Sequence, residues 1–416
     1  MTALARGTAL LKLLGPGVLM ATAAVGGSHL VASTQAGAKF GWQLALLILA
    51  VNLLKYPFFR AGVSYTISTK CTLQQGYLAM GKRYLVLALC LNSIASVVNA
   101  AALLLFAASL LAYFIPFDLA ISLSAAVVLG LILLILLKGH FDGLDNIAKA
   151  IMGVLIVATI AVFVVALVNY DPTTAPVDPP SPYTLATLGF LVVTMGWMPA
   201  PIEISAITSL WLKRQCAQQA VTPKTALFDF NLGYGVTALL AVLFLGLGAL
   251  ILYGSNVTLS ASGIGFSHQL ISMYSSTIGQ WTHWLIALVA FLCIFGSALT
   301  VYDGYARVVA EGISLLLKMD KPARNTLVTP VLLVMSVVSF SIVLFFKSAL
   351  LAMLGFAMTL AFITTPMFAW LNHKLVKQTP LHKDAAPSLA VKVLSYIGLV
   401  YLFGFLLVFI WWKWLN

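Results

Sequence analysis

The sequence predicts an all-α polytopic membrane protein of about eleven transmembrane helices, built as two inverted five-helix repeats plus one extra helix. Three observations predict it. The 416 residues are 62% hydrophobic and only 8% charged, with a mean hydropathy of +1.04, far more apolar than a soluble core of that length needs. Most basic residues cluster at alternate ends of the apolar segments. Two apolar segments about half a chain apart carry helix-breaking residues at their centres.

A window of about 20 residues places the spans at roughly 10–38, 41–66, 84–114, 118–138, 146–169, 183–211, 226–253, 280–317, 326–346, 349–372 and 390–414. The first lacks a small-residue cleavage site and reads as a retained span. Arg6, Lys12, Lys70, Lys82, Arg83, Lys138, Lys149, Lys213, Arg214, Lys224, Lys318, Lys321, Arg324, Lys374, Lys377 and Lys383 fall on one side, and the opposite loops 171–182 and 254–280 hold no Lys or Arg. By the positive-inside rule the N-terminus is cytoplasmic, and an odd span count puts the C-terminus outside. The expected location is a bacterial inner membrane.

The Pro-rich stretch 171–182 divides the chain into a first repeat (1–170), an external linker (171–182), a second repeat (183–375) and an extra helix (376–416). Five spans per repeat is an odd number, so the second repeat inserts upside down. The net charge of +12 is spread over short loops, which argues against nucleic acid. Cys71, Cys90, Cys216 and Cys293 lie far apart without a CxxC, so neither a zinc site nor a disulfide framework is expected. Asp142 and Asp145 read as turn and cap residues, Asp229 and Glu311 as pairing or capping groups, and the Asn256-Val257-Thr258 sequon as a chance match.

The breaks carry the function. Ala23-Ala24-Val25-Gly26-Gly27-Ser28-His29 interrupts the first span and Met195-Gly196-Trp197-Met198-Pro199-Ala200-Pro201 the sixth, and hydrocarbon tolerates unwound backbone only where it lines a protein cavity. Paired breaks in the two halves point to the binding site of an inverted-repeat transporter.

Gly15-Pro16-Gly17, Gln35-Ala36-Gly37-Ala38 with Gly41, Met198-Pro199 and Glu311-Gly312 together resemble the Nramp family of divalent-metal transporters over essentially the whole chain. The resemblance implies a LeuT-like fold with substrate held between unwound helices 1 and 6. Counting back from Gln35, the family's Asp-Pro-Gly-Asn falls on Gly26, Gly27, Ser28 and His29, so its metal-binding Asp and Asn are absent. Met198 matches the family's coordinating Met, and Ala200 stands where a His commonly follows. The third span shows Asn92, Ser93, Ser96 and Asn99 in place of acids. The chain reads as a divergent relative with the scaffold kept and the cargo changed.

A divalent ion usually needs at least one carboxylate, and the first break has none. Two half-helix N-termini converging on the midplane favour an anion instead. The expected substrate site is Gly26, Gly27, Ser28, His29, Met195, Met198, Pro199, Ala200, Glu203 and Lys55. His29 reads as a neutral donor, though a ligand or proton carrier are alternatives. Lys55 acts on substrate or pairs with a buried acid such as Glu203. Glu203 caps its helix or binds a cation with Met198. Bicarbonate suits the mixed donors and acceptors; the alternative cargo is Mg²⁺ or Mn²⁺ on a rebuilt Met198/Glu203 site. Anion uptake against a negative interior needs a driving cation, and sodium is expected between the Ala23 or Ala24 carbonyls and Ser297, Thr300 and Asp303, a location suggested by LeuT-like transporters. Asp303 pairing with Arg307 at i,i+4 is the alternative. No nucleophile with its base and no paired acids appear, so no enzyme and no cofactor are expected. The partners are a small inorganic ion and the lipid bilayer, with the monomer as the working unit.

Overall fold

The computed structural model describes residues 15–115, 119–138, 141–170, 180–254 and 260–414. Arg6 and Lys12, the side chains of Asp142 and Asp145, most of the external linker and the sequon at 256–258 lie outside the described residues.

The first span is two half-helices. The first, α1 (Pro16–Ala24), begins with Pro in its first turn and ends where Val25 turns extended (φ −80°, ψ 97°). The chain re-forms as a π-helical turn (Ser28–Ser33) that runs into α2 (Thr34–Phe40). Next come α3 (Ala45–Thr69), α4 (Leu73–Met80), α5 (Lys82–Tyr113), α6 (Ile121–Leu137) and α7 (Phe141–Val168). The sixth span repeats the interruption: α8 (Leu188–Trp197) stops at Met198 (φ −86°, ψ 121°) because the residue before a proline is pushed out of the helical region. The Met198–Pro199 peptide is cis, and α9 (Ile204–Gln218) follows. The chain ends with α10 (Pro223–Leu247), α11 (Gly263–Ile278), α12 (His283–Leu316), α13 (Lys321–Phe346), α14 (Leu350–Gln378) and α15 (Leu389–Trp414).

All eleven expected spans have a helical counterpart. Two further helices are additions to the sequence reading. The eight-residue α4 is fixed by a capping box between Thr72 and Gln75, too short to register in a window of membrane length. The second, α11, lies within the stretch 254–280 assigned to a loop; its Ser, His and Gln dilute the hydropathy, while Ser262 caps it by accepting from the Gly265 N–H.

Among the described residues, eight helical stretches are long and apolar enough to cross a bilayer, with Ile121–Leu137 and Leu185–Trp197 as shorter apolar helices. Large apolar side chains such as Phe345 and Val400 stand 85% and 75% exposed, which lipid tolerates and water does not. The chain is an integral membrane protein. Its buried axis is α5, where every residue from Ala100 to Ala108 is at most 4% exposed, packed against α12.

Close crossings explain the glycine motifs. A Cβ on Gly17 would sit 2.2 Å from the Asp229 carbonyl oxygen, and one on Gly233 the same distance from the Gly17 carbonyl oxygen. Gly37 and Gly248 make an equivalent reciprocal contact, 1.9 Å from the Leu245 and 2.1 Å from the Thr34 carbonyl oxygens. Both halves of the first span therefore lie backbone to backbone on α10 and the turn that extends it, and only glycine permits that approach. At the start of α1, Asp229 completes the anchor. Its Oδ1 accepts the Gly15 N–H at 3.1 Å and its Oδ2 the Gly17 N–H at 2.7 Å, which satisfies free donors at the N-terminus of α1 as the capping alternative expects.

Candidate functional site between the two broken spans

The two breaks meet. A small cavity of about 20 Å³ is lined from α1 and its break by Ala23, Ala24, Gly26, Gly27 and Ser28, and from the second break by Trp197, Ala200, Pro201 and Ile204. The buried axis closes it with Asn99 and Leu103 on α5 and Val301 and Tyr305 on α12. Its lining carries no charged side chain. The glycines are required by proximity: a Cβ on Gly27 would lie 2.8 Å from the Trp197 ring, and one on Gly26 3.0 Å from Ser297 Oγ.

Each break frees backbone groups, and the polar side chains nearby are mostly engaged in satisfying them. Lys55, 1% exposed on α3, donates to the Met195 and Gly196 carbonyls at 2.8 and 3.0 Å. These are last-turn carbonyls of α8, so the ammonium sits at the negative end of that half-helix. On α12, Ser297 Oγ lies 2.7 Å from the Thr22 carbonyl and 2.9 Å from the Val25 carbonyl, and Cys293 Sγ is 3.4 Å from the Val25 carbonyl.

His29 turns away from the cavity. Its Nε2 donates to the Thr237 carbonyl on α10 at 2.9 Å, which requires a hydrogen on Nε2, and Nδ1 lies 2.7 Å from Ser28 Oγ. The Ser28 hydroxyl also lies 3.0 Å from the Ala24 carbonyl. Met198 Sδ is approached by Ser33 Oγ at 3.8 Å and Met195 Sδ by Tyr401 Oη at 2.6 Å; neither methionine lines the cavity.

Glu203 is fully buried as the N-cap of α9. Its Oε1 accepts from Tyr305 Oη at 3.3 Å, and Tyr305 Oη in turn accepts from Asn99 Nδ2 at 3.0 Å. A polar chain thus runs from α5 through α12 to α9 along the cavity wall. Three buried atoms in this neighbourhood have no hydrogen-bond partner in the protein: Asn99 Oδ1, Trp197 Nε1 and Glu203 Oε2.

Of the expected substrate residues, Gly26, Gly27, Ser28 and Ala200 line the cavity, whereas His29, Lys55, Met195, Met198, Pro199 and Glu203 do not. Among the expected coupling-ion residues Ser297 does reach the first break, but the carbonyls it meets belong to Thr22 and Val25, with Ala23 and Ala24 lining the cavity. Thr300 turns its hydroxyl to the Gly296 and Ser297 carbonyls of its own helix. Asp303 takes the i,i+4 alternative, with both carboxylate oxygens accepting from Arg307 Nε at 2.9 and 2.8 Å and Arg307 Nη2 at 2.7 Å from Oδ1. The sequence reading did not assign Tyr305 or Asn99 to the site. A polar Asn in the middle of an apolar span was the available signal for the second; Tyr305 had none.

An all-helical bundle with two interrupted spans meeting at its centre defines the class: an integral membrane protein of the LeuT-like fold. The chain superposes on a crystal structure of a point mutant of the Eremococcus coleocola manganese transporter with a TM-score of 0.69 and 14% identity, covering 96% of this chain and 86% of that one. MhsT in complex with L-phenylalanine matches at TM-score 0.66, 13% identity, 94% of this chain and 98% of that one. The nucleobase-cation-symport-1 family transporter MHP1 matches at 0.62, 12% identity, with 95% and 91% covered. At such identities the likeness is one of fold. No family model matches the sequence. In sequence the chain is 45% identical over 400 residues to the Pasteurella multocida (strain Pm70) uncharacterized protein PM0681, covering 95% of this chain and 91% of that protein, and it belongs to the same family as that protein.

Proposed function

We propose that the protein is a secondary transporter that alternates access to the cavity between the two breaks and carries a small inorganic anion, bicarbonate for preference, together with sodium. The observation that carries the reading is the cavity itself: two half-helices start beside it and no acidic side chain lines it. A dehydrated divalent cation there would lack the formal negative charge it needs, whereas helix N-termini favour an anion. Bicarbonate is preferred over chloride because it offers both an O–H donor and oxygen acceptors. Those match the unpartnered Asn99 Oδ1 and Trp197 Nε1 on the cavity-lining side chains.

Sodium is the proposed driving ion. Moving one charge against the membrane potential costs about 2.3 kcal/mol per 100 mV, and a cation needs an oxygen cage. Thr22 O, Val25 O and Ser297 Oγ supply three convergent oxygens. In this reading the protein works as a monomer in a bacterial inner membrane, N-terminus inside and C-terminus outside.

A divalent-metal cargo is the competing reading, favoured by the buried and half-partnered Glu203 carboxylate. The deciding experiment is uptake of labelled bicarbonate into proteoliposomes with and without a sodium gradient, with manganese entry followed in a parallel batch. Sodium-dependent, saturable bicarbonate uptake that persists in Glu203→Gln supports the proposal. Manganese entry that Glu203→Gln abolishes, with no bicarbonate signal, refutes it.

A further inference from the structure

Away from the central cavity, a larger one of about 410 Å³ opens where α3, α14 and the extra helix α15 converge. It lies at the end of the bundle that the positive-inside rule assigns to the cytoplasm. Its polar lining is one-sided in charge: Arg60, Lys377 and Lys392, with Ser64, His373 and Ser395 between them and no acidic residue. Arg60 is only 9% exposed, and its Nη2 donates to the Ala386 carbonyl at 3.2 Å. Among the described residues no carboxylate lies within ion-pair distance of it.

A second, independent observation points to a ligand. Ser64 lines the same cavity, is 1% exposed, and its hydroxyl has no hydrogen-bond partner in the protein. Burying both a cation without a counter-ion and a hydroxyl without a partner is costly. An anion bearing several acceptor oxygens would satisfy the two together, and a guanidinium flanked by lysines is suited to phosphate oxygens.

The walls are amphipathic. Phe58, Val376, Leu381 and Val391 share the cavity with the cations. Along α15 just beyond it, Val393, Ile397 and Val400 stand 49%, 52% and 75% exposed to the bilayer, a track on which acyl chains can lie. Basic pockets between transmembrane helices on the cytoplasmic side suit anionic head groups.

We infer that the α3–α14–α15 cavity is a binding site for a phosphate-bearing anion, with Arg60 and Ser64 at its floor and Lys377 and Lys392 at its mouth. The same chemistry is offered by an anionic phospholipid head group of the inner leaflet and by free phosphate. The site lies apart from the cargo cavity, so the inference stands whatever the transporter carries.

The test uses the full-length protein in neutral phosphatidylcholine nanodiscs, with native mass spectrometry for retained lipid and thermal unfolding for stabilisation. The two probes are phosphatidylglycerol of the same acyl chains and inorganic phosphate. The variant is Lys377→Gln with Lys392→Gln, two exposed positions whose change leaves the packing intact; Arg60→Gln is secondary because it is buried. Phosphatidylglycerol binding that weakens about thirtyfold in the double variant, on the order expected for two lysines near an anionic head group, supports the site with lipid as the source. Saturable stabilisation by inorganic phosphate that the same variant removes supports it with a free anion as the source. Binding of neither probe to the wild type, or equal binding in both proteins, overturns it.

Discussion

Lys55 separates a scaffold role from a cargo role in a single substitution, Lys55→Met. The ammonium makes two hydrogen bonds, to the Met195 and Gly196 carbonyls, and a bond from a charged donor contributes about 1.5–3 kcal/mol. Methionine fills the space and removes a buried charge whose desolvation opposed folding, and carbonyls left without a partner in a membrane protein find partial substitutes. The expected net loss is about 2–4 kcal/mol. A chain of this length loses roughly 1 °C per kcal/mol on the usual per-residue entropy scale, so the apparent melting temperature in detergent should fall by about 2–4 °C. It should be compared at one scan rate, since unfolding of such a protein is irreversible. Because the loosened carbonyls belong to the second break, maximal uptake should fall while the half-saturating cargo concentration stays close to wild type. A variant with wild-type thermal stability and a tenfold higher half-saturating concentration would refute this account and place the ammonium's effect on the cargo.

Three further substitutions probe the first span and its contacts. Gly27→Ala puts a methyl 2.8 Å from the Trp197 ring and 3.2 Å from Leu354, overpacking expected to cost about 1–3 kcal/mol; uptake should drop more than tenfold, while Gly235→Ala, whose Cβ would meet nothing within 4 Å, should be unaffected in the same assay. Ser297→Ala strips the Thr22 and Val25 carbonyls of their hydroxyl neighbour and should raise the half-saturating sodium concentration severalfold; unchanged sodium dependence would exclude that cluster as the cation site. Asp229→Asn turns an amide N–H₂ toward either the Gly15 or the Gly17 N–H, weakening the α1 cap by about 1–2 kcal/mol, and should increase labelling of an engineered cysteine near the start of α1.

What could be read from the letters divides along a physical line. Hydropathy located the spans because a bilayer imposes a length. Gly26-Gly27 and Met198-Pro199 located the breaks because those residues cannot hold a helix. Hydrophobicity could not find α4 or α11, whose stability comes from caps and packing. Nor did the glycine motifs disclose that their purpose is contact: Gly17 and Gly37 mark where α1 and α2 touch α10.

The harder loss concerns partners. A buried Lys, Ser or His in a sequence invites a ligand as its explanation, because backbone acceptors have no letter of their own. Each helix break frees carbonyls, and here Lys55 is engaged with two of them, while Ser297 and Cys293 approach the Thr22 and Val25 carbonyls. His29 instead meets a carbonyl that no break frees, that of Thr237 within α10. The phase of the helix at a break decides which carbonyls face inward, and here Thr22 and Val25, three residues apart, present theirs to Ser297 in place of the expected Ala23 and Ala24 between them. Once the backbone's own demands are subtracted, the buried polar atoms still unmatched around the cavity are Asn99 Oδ1, Trp197 Nε1 and Glu203 Oε2. Of these, Asn99 Oδ1 and Trp197 Nε1 belong to cavity-lining side chains, one acceptor and one donor, and under the proposed function a bare halide would answer only the donor.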